Sequence, residues 1–127
     1  MAGNLPDTIE AALLDHLHGV ATLTITGPLK CRLMTAAGSD GAAGTEVTGG
    51  SYSSQTIAFS AASSGATSNS GALSYTSMPA CTVVGVEIWD STGTPKRLWH
   101  LPLSSSKTLQ AGDTFSLAVG AVTVSLD

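Results

Sequence analysis

Charge is scarce in this chain. Asp, Glu, Lys and Arg make up 11% of its 127 residues, against roughly 25% in ordinary globular domains. Basic residues are scarcer still, at five for a formal net charge of −4. Lys30, Arg32, Lys96, Arg97 and Lys107 lie too far apart to make the stripe that phosphate binding needs, so no nucleic-acid partner is expected. Aromatics are few, with two each of Trp, Tyr and Phe. No apolar run approaches the ~18 residues of a membrane-spanning helix, and no membrane partner is expected. The N-terminus carries no basic segment followed by an apolar one, so cytoplasmic synthesis without a signal peptide is expected. Cysteine is nearly absent. Cys31 and Cys81 each sit in a strand-like run, where a reduced thiol packs as a small hydrophobe; a disulfide formed later is the alternative.

What fills the chain instead is Ser, Thr, Gly and Ala, set around short alternating apolar runs. Leu29, Cys31 and Leu33 point one way while Lys30 and Arg32 point the other. Val20–Thr26 alternates weakly and reads as a further strand. Thr35–Gly50 reads as a long surface loop, with a short strand at Glu46–Thr48. Ile57 with Phe59, Leu73 with Tyr75, Phe115 with Leu117, and Val122 with Val124 and Leu126 continue the pattern. Val84, Val86 and Ile88 are predicted on one face, with Val83, Gly85, Glu87 and Trp89 on the other. Period-two runs broken by Gly, Ser, Asn and Pro mark half-buried antiparallel strands. The fold class read from this is mainly β: an antiparallel β-sandwich or jelly roll of about eight strands with one short N-terminal α-helix.

That helix is predicted over Asp7–His18. Asp7 is the expected N-cap, with Glu10 three positions on as in a capping box, and Gly19 is the expected terminator. Ile9, Leu13 and Leu17 recur on one face with Ala12. An isolated helix of this length is marginal in water, so its stripe must pack on something. Residues 1–19 are read as an assembly arm and 20–127 as a single β-sandwich domain.

Catalytic chemistry is hard to find. His16 and His18 project about 200° apart on a helix and cannot share an ion. Asp7, Glu10, Asp15, Asp40, Glu46, Glu87, Asp90, Asp113 and Asp127 form no acid–base pair, and Asp40, Asp90 and Asp113 fall in turns where Asp is a normal turn former. Gly49-Gly50-Ser51-Tyr52-Ser53 lacks the closing glycine of a nucleophile elbow. No Gly-Lys-Ser/Thr follows any glycine run, so no phosphate loop is predicted. Accordingly no catalytic residue, metal site or cofactor is expected. Trp89 and Trp99 flank the Ser91–Pro95 turn and are expected to meet across a hairpin, packed in the core or standing as an exposed anchor.

Five segments resemble a family of small tailed-bacteriophage structural proteins, described as tail-fibre-like or minor structural proteins. They are Glu10-Ala-Ala-Leu-Leu-Asp-His-Leu17, Gly44-Thr-Glu-Val-Thr-Gly-Gly-Ser-Tyr52, Thr56-Ile-Ala-Phe-Ser-Ala-Ala-Ser63, Val84-Gly-Val-Glu-Ile-Trp-Asp90 and Ser106-Lys-Thr-Leu-Gln-Ala-Gly-Asp-Thr-Phe115. They keep their order and span nearly the whole chain. The chain departs at Ser53 and Ser54, where the family often carries an Arg, and at Met78–Cys81, where it often has a Trp-Gly pair.

The resemblance implies a virion role. Size, sparse charge and the lack of a repetitive shaft favour a capsid decoration (cement) protein on the outside of the head, with the major capsid protein as partner. Such proteins usually act as homotrimers. A tail, tail-fibre or baseplate component bound to tail proteins is the alternative, and a carbohydrate-binding module using Trp89 or Trp99 is the third reading. The residues expected at contacts are Ile9, Leu13 and Leu17 on the helix and Lys96, Arg97, Trp99 and His100 on the hairpin.

Overall fold

A computed structural model describes residues 3–126; Met1, Ala2 and Asp127 lie outside the described residues. The architecture is mainly β and antiparallel, with one short helix, as the periodicity predicts. Helix α1 (Asp7–Leu17) precedes nine strands: β1 (Leu29–Ala36), β2 (Thr45–Glu46), β3 (Gln55–Ile57), β4 (Ala66–Ser68), β5 (Leu73–Tyr75), β6 (Cys81–Trp89), β7 (Arg97–Leu109), β8 (Phe115–Leu117) and β9 (Thr123–Ser125).

The main sheet runs β2-β1-β6-β7, and β3 takes the other half of β1's outer edge. Between β2 and β3 that edge is mended locally. Leu33 C=O accepts from Val47 N–H at 2.9 Å, and Leu33 N–H donates to the Tyr52 hydroxyl at 3.0 Å. Two ribbons, β4–β9 and β5–β8, complete the pairing. Their Leu73, Tyr75, Phe115, Leu117 and Val124 share one buried cluster with Cys31, Leu33, Val86, Ile88 and Leu101 of the main sheet. Tyr75 joins the layers: its hydroxyl donates to Cys31 C=O at 2.8 Å, and its ring meets Phe115 edge-on at 6.1 Å. Buried Asn69 uses its whole amide, donating to Gly71 and Ala118 C=O and accepting from Val122 N–H.

Several expectations are corrected here. Asp7 is not the N-cap: Pro6 holds that position at φ −67, ψ 151, with no side-chain cap. The Asp7 N–H that a cap would help to cover donates instead to Asp40 C=O at 3.0 Å. The helix ends at Leu17, with His18 as C-cap. Val20–Thr26 forms no strand. Both edges of β1 are already taken by β6 and by β2 and β3, and the segment is tied back to the helix through Val20 N–H to Asp15 C=O and Leu23 N–H to His16 Nδ1.

On β6 the buried hydrophobic residues are Val83, Val86 and Ile88, with Val84 only half-buried. The ladder to β7 shifts between Val83 and Gly85, and that irregularity swaps the facing of the residues before it. Gly85 is required at the shift, because a Cβ there would stand 2.7 Å from Leu101 O. Trp89 and Trp99 do not pair either. Trp89 lies opposite Arg97 and Trp99 opposite Ile88, with a second irregularity between them.

The cysteines are both free thiols. Cys31 stands opposite Ile88 near one end of β6, while Cys81 begins that strand. At about 3.3 Å per residue they are roughly 20 Å apart, far beyond disulfide reach.

Candidate assembly surface

The outer face of the main sheet is where the chain concentrates its charge. Register aligns Arg32, Glu87 and His100 across β1, β6 and β7, and Lys30, Trp89 and Arg97 beside them. Alternation alone would leave such a row in water. The loop 37–44 folds over its centre, so Glu87 and Arg97 are interior, with side chains 1% and 8% exposed.

The pair is held by several hydrogen bonds. Arg97 Nη1 donates to Glu87 Oε2 at 3.2 Å, and Nη2 donates to the carbonyls of Ser39 and Asp40. Glu87 Oε2 also accepts from Gly44 N–H at 2.8 Å, and Oε1 from Trp89 Nε1 at 3.1 Å. Gly38 sits directly above, where a Cβ would come within 2.5 Å of Glu87 Oε2 and 2.7 Å of Arg97 Nη1. Arg32 lies over the Trp89 ring, 4.3 Å from its centroid.

Around this centre the neighbouring elements are pinned. Asn4 and His100 exchange backbone hydrogen bonds at 2.9 and 3.0 Å. His100 Nε2 lies 2.7 Å from Asp40 Oδ1. Asp90, also buried, holds the β6–β7 turn by accepting from the N–H groups of Lys96, Thr92 and Thr26 and from the Thr92 hydroxyl. Burial opposes its ionisation, but these hydrogen bonds outweigh burial and lower its pKa below the usual carboxylate value. Burial pushes the Cys31 thiol up to about 11. Tyr52 and Tyr75 are likewise raised by burial.

Between α1, the 40–43 turn and the β6–β7 turn lies an open groove of about 700 Å³. Ile9, Ala12, Leu23, Trp89 and Pro95 make its apolar lining, with Asp40, Lys96 and Arg97 at its polar positions. On the far flank of the helix, Leu14 and Leu17 are 55% and 68% exposed, and Val20, just beyond the helix, is 73% exposed.

The predicted contact residues thus separate. Lys96, Arg97 and Ile9 come together at the groove, with Arg97 and Ile9 largely buried there. Leu13 is half-buried and Leu17 stands out in solvent. His100 joins the covered outer face through Asp40. Trp99 turns to the other side, half-buried against the core, close enough to Gly3 that a Cβ there would meet its ring at 3.1 Å. Asp90 is the turn former that the sequence suggests, and Trp89, one of its two candidate anchors, lines the groove; sequence reasoning missed Glu87 and Leu14. For Glu87 a signal was present: a carboxylate inside a Val/Ile run, followed by an Arg across the next turn. Among the described residues, no three His, Cys, Asp or Glu side chains gather as a metal-binding group.

A family model described as Podophage GP4 fiber I protein gp80 matches residues 4–125. The chain belongs to this family of phage virion structural proteins. The match extends from Asn4, whose backbone bridges to β7, through α1 and into β9. The helix and its groove therefore lie inside the stretch that the gp80 family model describes. No curated protein matches the chain.

Proposed function

We propose that this chain is a non-enzymatic structural component of the tail or fibre apparatus of a podophage-type virion, bound there to other tail proteins. The observation that carries it is the family match over residues 4–125, whose description names a fibre protein. The head shell, with the major capsid protein as partner, is the reading expected from size and sparse charge, but these speak only to life inside an assembly and not to its place in the particle. A structural role is supported by the fate of the buried carboxylates. Glu87 and Asp90 are consumed by hydrogen bonds that hold loops and turns, which is the use a structural protein makes of a buried carboxylate.

Immunogold labelling of purified particles with an antibody to this chain tests the placement. Gold at the tail end, with a copy number far below that of the major capsid protein, is the expected result. Gold over the whole head, at a copy number comparable with the major capsid protein, restores decoration and ends the tail reading.

A further inference from the structure

Two apolar surfaces of this molecule stand open, and they sit on opposite flanks of one helix. At about 100° per residue, Leu14 lies about 140° round the axis from Ile9 and about 160° from Ala12, and Leu17 about 80° from Ile9 and about 140° from Ala12. The groove lined by Ile9, Ala12, Leu23, Trp89 and Pro95 therefore cannot be filled by the leucines of its own chain. Its volume is about 700 Å³. Exposed apolar clusters of this kind mark interaction sites.

We propose that the groove receives Leu14 and Leu17 of a second copy of this chain, in a head-to-tail contact. The two surfaces match in charge as well as in character. Glu10 lies between Leu14 and Leu17 around the helix, at about 100° from Ile9. The groove offers Lys96, whose side chain is 38% exposed and holds Asp90 at only 3.5 Å. Asp40, the groove's acid, is already hydrogen-bonded to His100. Knob and groove are different surfaces of the same chain, so the contact is heterologous: it closes into a ring or continues as a filament. The inference does not depend on where in the particle the protein sits.

A complementation experiment with the full chain tests it. Sedimentation of the wild type between about 1 μM and about 1 mM should show self-association. L14E/L17E removes the knob, and Ala42→Arg fills the groove from an exposed loop position. Each variant should keep its melting temperature and lose self-association by at least about tenfold. Mixed together, they should form a one-to-one heterodimer through the one intact knob and the one intact groove, and nothing larger. A wild type that stays monomeric throughout overturns the proposal. So does an Ala42→Arg variant that associates like the wild type, which would mean leucine faces pairing with each other. Folded variants that fail to form the heterodimer overturn it as well.

Discussion

Arg97 and Glu87 show how a chain with so few charges uses them. Removing one member of a buried ion pair leaves the other uncompensated, at a cost of about 3–5 kcal/mol. Arg97→Ala should therefore lower the melting temperature by roughly 10 °C or more. Glu87→Gln combined with Arg97→Met removes both charges and should be less damaging than Arg97→Ala alone. Thermal unfolding of the three proteins at neutral pH checks the order; equal losses would mean the charges themselves contribute nothing. Asp90 carries a pH signature. Its folded pKa lies below the usual value of 3.8, so its stabilising contribution is complete above that value and fades as pH falls through the folded pKa. Asp90→Asn should be less stable than wild type at neutral pH, and the gap should narrow below about pH 3.8. Denaturant titrations at several pH values measure it. The two thiols should separate as well. With its pKa raised to about 11 and its side chain fully buried, Cys31 should resist alkylation at pH 8 until the protein unfolds, whereas half-exposed Cys81 should be modified first. Mass spectrometry after timed labelling distinguishes them.

Among the elements, α1 carries an internal contrast. Ile9 is 7% exposed beneath it, while Leu17 projects into water. Ile9→Ala should cost about 2–5 kcal/mol, as for other buried aliphatic truncations. Leu17→Ala in dilute solution should stay within about 0.5 kcal/mol of wild type. Similar losses from the two would show that the helix is not docked by its N-terminal half. The helix is also attached by backbone, through Asn4 to His100 and Asp7 to Asp40. Yet no helix residue belongs to the main buried cluster. The β core is built without it, and the helix borders the groove beside the 40–43 turn.

Taken as a whole, the molecule has one contiguous core to which the main sheet and both ribbons contribute. Unfolding should then be a single cooperative transition, with near-UV and far-UV signals coinciding in denaturant. Separated transitions would mean that the β4–β9 or β5–β8 ribbon melts independently. The sparse charge should leave any association only weakly dependent on salt, because exposed ion pairs are worth about 0–1 kcal/mol each and salt screens them.

Much of this was legible in the order of the residues. Alternation is local, so the antiparallel β class, the position of β1 and the inward set Leu29, Cys31 and Leu33 could be read without coordinates. The short helix announced itself through spacing, and the virion family through five ordered segments. What stayed hidden depends on residues far apart in the chain. Whether Val20–Thr26 finds a partner edge is settled by β2, β3 and β6, which take both sides of β1. Whether Val83 or Val84 faces inward is settled by the ladder shift at Gly85 against β7. Whether Arg97 meets solvent or Glu87 is settled by the 37–44 loop folding over the outer face. Periodicity records which residues can be buried together; strand partners, ladder irregularities and covering loops then choose among those possibilities, because each is a contact between segments that neither one encodes alone.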